Sequence, residues 1–83
     1  MNREPVNKKS FPYKGQEIFY FIKDIEWKET CGKEMASALM VVCDENDTHN
    51  DVFAIYDDRN KVMYALPHDA QRWYEGYLSK KSR

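Results

Sequence analysis

The chain has 83 residues and so makes one small domain, which buries only ~60–65% of the surface its unfolded chain exposes. Aromatic residues make up 14% and charged residues 33%, with only three Gly and three Pro, which excludes a disordered or linker-like chain. The formal net charge of −1 gives no overall pull toward nucleic acid or an anionic membrane.

Residues 1–10 read as a flexible, mildly basic arm carrying Arg3, Lys8 and Lys9. "SFPYKG" (Ser10 to Gly15) holds a proline and a glycine and reads as a turn or irregular lead-in. "EIFYFIKDIEWKE" (Glu17 to Glu29) fits two templates. Ile18, Phe21, Ile22 and Ile25 follow helical spacing, whereas Phe19, Phe21, Ile25 and Trp27 alternate apart from Lys23. Its aromatic and β-branched residues favour a strand. "ETCGKE" reads as a turn, and a second strand is expected from about Ala38 to Asp44. The polar "ENDTHN" interrupts it. "DVFAIYDDRNKVMYALP" places two apolar runs around an Asp/Asn-rich turn and predicts a hairpin. Pro67 ends the last strand, and Ala70, Trp73, Tyr74, Tyr77 and Leu78 then recur at amphipathic helix spacing between His68 and Ser79. Asp69 at its start and Lys80, Lys81 and Arg83 at its end suit the helix dipole. Gly76 inside it costs about 1 kcal/mol relative to Ala and is expected to permit close approach to the sheet. The expected fold class is α+β: a four-stranded antiparallel meander, then one C-terminal amphipathic helix packed on the sheet (ββββα), with residues 11–83 as a single domain.

The densest polar stretch, "CDENDTHND" (Cys43 to Asp51), fails as a metal loop. A calcium loop starting at Asp44 needs glycine at its sixth position and glutamate at its twelfth, where His49 and Ile55 stand. Zinc needs closely spaced Cys/His pairs, but Cys31, Cys43, His49 and His68 are singly spaced. Asn46-Asp47-Thr48 satisfies the glycosylation sequon, yet "MNREPVNKKS" lacks the features of a secretory leader. No apolar run approaches the ~18 residues of a membrane span. The expected location is the cytoplasm, with both thiols reduced. Cys43 closes an apolar run and is a structural thiol more readily than a nucleophile served by His49 or His68. No glycine-rich phosphate loop is present. A non-enzyme without cofactor or metal is expected.

The informative pattern is apolar. Phe19 and Phe21 lie opposite Ile18, Tyr20 and Ile22 on the first strand, and Leu39 and Val41 lie opposite Met40 and Val42 on the next. Strands apolar on both faces are normally buried on both, and one helix covers one face. The other face is covered by the N-terminal segment or by another chain, which predicts a protein partner or self-association. The candidate partner-binding residues are Phe19, Phe21, Trp27 and Tyr74, together with the acidic Asp44, Glu45, Asp47, Asp57 and Asp58 of the two strand connections. An alternative is nucleic-acid binding through the aromatic sheet and the basic termini.

"YALPHDAQRWYEGYLSK" resembles the end of KTSC-type small domains, in which a strand closes on an aromatic residue and a proline, and a short helix leads to Ser-Lys. Tyr64, Pro67, Ser79 and Lys80 match, and Lys81 stands where that family has glycine. The resemblance covers the last quarter of the chain and brings no activity with it. In size, aromatic load and lack of catalytic motifs, the chain also resembles the small accessory proteins of phages and mobile elements. Many of those inhibit a host protein by docking on it.

Overall fold

Two tight turns organise the first half of the chain. Lys14 and Gly15 have φ of 51° and 80°, and Cys31 and Gly32 have φ of 52° and 79°. Paired positive φ is what a two-residue hairpin loop of type I′ requires, because it matches the right-handed strand twist. In both loops the glycine takes the second position, where no Cβ opposes it. The computed structural model describes residues 8–46 and 48–81. Its strands are β1 (Lys9–Tyr13), β2 (Gln16–Thr30), β3 (Lys33–Cys43) and β4 (Asn50–Asp58), followed by the helices α1 (Arg59–Tyr64) and α2 (Pro67–Lys81). The strands form one antiparallel meander in the order β1-β2-β3-β4.

Register assigns the faces. Tyr20 pairs with Val42 and Ile22 with Met40, while Ala38 pairs with Ile55 and Ala36 with Asp57. This face carries the core: Tyr20, Ala36, Ala38, Met40, Val42 and Ile55 cluster with Phe11 of β1, Val62 and Ala65 at α1, and Ala70 and Trp73 of α2. Aromatic rings join the first strand to the last helix. Phe11 lies 5.6 Å from Tyr20 and 5.7 Å from Tyr74, and Tyr13 lies 5.3 Å from Tyr74. The described residues span 41 × 41 × 19 Å, thin enough for one sheet and one helical layer.

The architecture is the expected α+β meander with a C-terminal helix on the sheet. Two segments exchange roles within it. The segment after the Asp-Asn turn is helix α1, not the second strand of a hairpin. Asp58 acts as its N-cap, accepting from the Asn60 N–H at 2.9 Å. Asp and Asn start a helix by the same side-chain-to-backbone bonding with which they make a turn. Ala65, at φ 47°, closes α1 and donates its N–H to Lys61 O at 2.8 Å, so residues 61–66 pack on the sheet without joining it as a strand. The fourth strand comes instead from "KSFPY". Lys9 and Ser10 belong to β1, so the arm expected over residues 1–10 excludes them; residues 1–7 lie outside the described residues. β3 starts at Lys33, five positions before the expected Ala38, because the Cys31–Gly32 turn pairs it at once with β2 (Thr30 with Lys33).

Candidate interaction surface

The opposite parity of the same strands builds a second face. Phe19 pairs with Cys43, Phe21 with Val41, and Lys23 with Leu39. Across β3, Val41 pairs with Val52, Leu39 with Ala54 and Ser37 with Tyr56. Cross-strand rows such as Phe21-Val41-Val52 therefore lie side by side on one surface. Both helices pack on the other face, and among the described residues no helix residue joins this one. Val41 and Cys43 are buried between their neighbours, Phe19, Phe21 and Leu39 are half-buried, and Val52 and Tyr56 are 50% and 55% exposed. Toward the β2–β3 turn the face becomes polar, beginning at Lys23 and Glu26, where a register shift interrupts β2. Asp24 sits in that shift with φ 55°, a conformation Asp tolerates better than most residues.

Of the candidate residues, only Phe19 and Phe21 come together here. Trp27 pairs with Ala36 and so belongs to the helix-bearing side, where Arg59 lies 5.1 Å over its ring and 54% of it stays exposed. Tyr74 is spent in the aromatic cluster with Phe11 and Tyr13. Asp44 folds its own loop, accepting from the N–H groups of Asn46 (3.1 Å) and Thr48 (2.9 Å) and from the Thr48 hydroxyl (2.7 Å). Glu45 is exposed beside it, and Asp47 lies outside the described residues. Asp58 caps α1. Asp57 accepts from Arg72 Nη2 at 2.5 Å and from Trp73 Nε1 at 2.9 Å. The acidic residues occupy both ends of β4, and three of them hold structure rather than present an epitope. Sequence reasoning missed Val52, Ala54 and Tyr56. Their alternation with Phe53 and Ile55 was the available signal, hidden because β4 reads as one continuous apolar run.

Asp57 gives a pH-dependent readout. Burial works against its ionisation, but the Arg72 and Trp73 donors, the Asp58 N–H and the Arg72 charge together hold its carboxyl below the usual range. A depressed folded pKa contributes stability that is present above the unfolded value of about 4 and is lost as pH falls below it. Asp57→Asn should cost about 1 kcal/mol near neutrality, a modest figure because Arg72 is largely exposed. It should also flatten the acid limb of the stability profile, as measured by urea unfolding from pH 7 down to about 3.

Among the described residues no group of three or more His, Cys, Asp or Glu side chains is placed to hold a metal ion. Cys31 is exposed at the β2–β3 turn and Cys43 is buried at the far end of β3. With ~3.3 Å of rise per strand residue, the two are separated far beyond disulfide reach. No helix among the described residues is long and apolar enough to cross a membrane. Compared with known proteins, the chain matches no family model, no curated protein and no solved structure. The likeness of the closing segment to KTSC-type domains thus rests on four residues, one of which, Tyr64, ends a helix rather than a strand.

Proposed function

We propose that the chain is a small non-enzymatic interaction module that works by docking its open sheet face on another protein, in the manner of a regulator or inhibitor. The observation that carries this reading is the Phe21-Val41-Val52 row with Phe19, Leu39, Ala54 and Tyr56 beside it, on a face that no described element covers. Apolar surface of this extent is stabilised by removal from water, and two sheets stack face to face at ~10 Å. The near-neutral chain and the paired signs of Lys23 and Glu26 oppose no second copy, so self-association is the form expected of the isolated protein. The exposed Cys31 and the buried Cys43, which form no disulfide with each other, suit the reducing cytoplasm. Nucleic-acid binding is the weaker reading, since Phe11, Tyr20, Trp73 and Tyr74 are committed to the core cluster and cannot stack on bases.

Sedimentation across a micromolar-to-millimolar dilution series should show a reversible dimer that salt hardly affects. Val52→Glu should weaken it at least tenfold with an unchanged circular dichroism spectrum, the effect of burying one unpaired charge. A monomer that binds a hydrophobic dye through this face, and loses the dye on Val52→Glu, keeps the docking reading with a different protein as occupant. A monomer that binds no dye overturns it. Binding to single-stranded oligonucleotides that falls steeply with salt would favour the alternative.

A further inference from the structure

The two edges of the sheet are unlike. β1 is five residues long, carries Lys9, and contains Pro12, which has no N–H to offer, so it is blunted against further pairing. β4 has nine residues in unbroken register with β3 and contains no Pro, Lys or Arg. In an antiparallel strand alternate residues turn their N–H and C=O away from the partner, and among the described residues no element pairs with that outer side of β4. Beside this edge runs a groove of about 530 Å³ between β4 and α2, with Phe53, Ile55, Trp73 and Tyr77 as its apolar lining and Arg72 and Lys80 as its basic rim. Phe53 and Tyr77 stack at 4.1 Å within it.

Gly76 lies on the α2 side of the groove. A Cβ there would meet nothing within 4 Å, so close packing against the sheet does not require glycine at this position, contrary to the sequence expectation. The groove is wider for the missing side chain. Arg72 is engaged by Asp57 and Asp69 and Lys81 by Asp51, whereas Lys80 makes no ion pair among the described residues. A second β4 is a poor occupant. Antiparallel self-pairing of "NDVFAIYDD" brings Asp51 opposite Asp57 or Asp58, and like charges directly opposite destabilise a strand pair.

We propose that the outer edge of β4 is a second docking site, which takes an extended peptide segment of another protein as a fifth strand. One apolar side chain of the peptide enters the groove over Gly76, and a carboxylate meets Lys80. Backbone pairing supplies affinity and the groove selects the side chain, the general mode of strand addition.

The probe is a short capped peptide of alternating valine and threonine with one central glutamate, followed by amide NMR on the full chain. Expected are shifts in residues 52–56 and in the Trp73 indole. Binding should fall roughly tenfold or more when alternate peptide amides are N-methylated, since each loses a ladder hydrogen bond. Gly76→Leu should fill the groove and block binding equally while the fold is kept, because leucine is the better helix residue. Lys80→Glu should weaken binding by about threefold, as expected for one exposed ion pair, and a lysine-for-glutamate peptide should restore it. The proposal is overturned by an absence of shifts at millimolar peptide, by shifts confined to Phe19, Phe21 and Val41, or by equal binding of the N-methylated peptide. The open-face association is read separately, from sedimentation of the free chain, so either result can fail alone.

Discussion

Trp73→Ala is expected to lower stability by about 3–5 kcal/mol, a large share of the ~4–12 kcal/mol that a chain of this length holds at 0.05–0.15 kcal/mol per residue. The residues that α2 buries are Asp69, Ala70 and Trp73, so the indole is the large side chain the helix buries most deeply against the sheet, with Tyr74 on Phe11 and Tyr77 on Phe53 packed beside it. It is 8% exposed and belongs to the core cluster. Its Nε1 also donates to Asp57 Oδ2 at 2.9 Å, fastening the helix to the end of β4. Trp73→Phe should retain most of the buried area and lose the donor, leaving Asp57 to Arg72, and should cost nearer 1–2 kcal/mol. Urea unfolding followed by far-ultraviolet circular dichroism separates the two. The other tryptophan, Trp27, is mostly exposed, so the native fluorescence lost in Trp73→Ala belongs to the core. A variant with the wild-type midpoint would make α2 peripheral to the fold.

How far the sequence disclosed this fold depends on which physical signal each segment carries. α2 was legible because its apolar period extends over several turns with charges placed for the dipole, and that period admits no strand. β2 was legible by composition, although its length conceals a register shift at Lys23 to Glu26 that no pattern marks. α1 was not legible. It is six residues long and buries only Val62, so it has no period to display, and its Asp58 cap looks like a turn. β1 was obscured by Pro12, which argues against a central strand but is tolerated at an edge. The "KG" and "CG" pairs were the missed evidence: glycine after a residue that can take positive φ, between apolar runs, is a hairpin loop. The two-faced apolar pattern of β2 and β3 did locate the open face through Phe19 and Phe21. The acidic residues misled because composition records charge and not its partner. Asp44, Asp57 and Asp58 are each occupied by backbone or side-chain donors that only the fold brings to them.

Tyr20 should show a comparable loss, and one that can be divided. It is fully buried in the half of β2 that pairs with both β1 and β3, packs 5.6 Å from Phe11, and donates its hydroxyl to Ala65 O at 2.6 Å. Ala65 is the left-handed residue that ends α1, so this bond ties the middle of the sheet to the helical layer at a carbonyl with no helical donor. Tyr20→Ala removes ring and bond together and should cost about 3–5 kcal/mol. Tyr20→Phe keeps the ring and strands the Ala65 carbonyl, for about 1–3 kcal/mol. Alkaline pH isolates the same hydroxyl. Burial, and secondarily the negative charge of Asp69, push the Tyr20 phenol up to about 12. In the unfolded chain it ionises near 10. The folded state therefore holds this proton more tightly, so the contribution is complete below pH ~10 and is lost as pH rises from there toward 12, by about 2–3 kcal/mol. Tyr74, raised in the same direction chiefly by burial, adds to the same limb. Unfolding free energies measured between pH 8 and about 12 should thus fall steeply for the wild-type chain and more gently for Tyr20→Phe, with the Tyr74 contribution left in place. Parallel curves would mean that the phenol ionises in a locally opened state, with α1 lifting from Tyr20 before the domain unfolds.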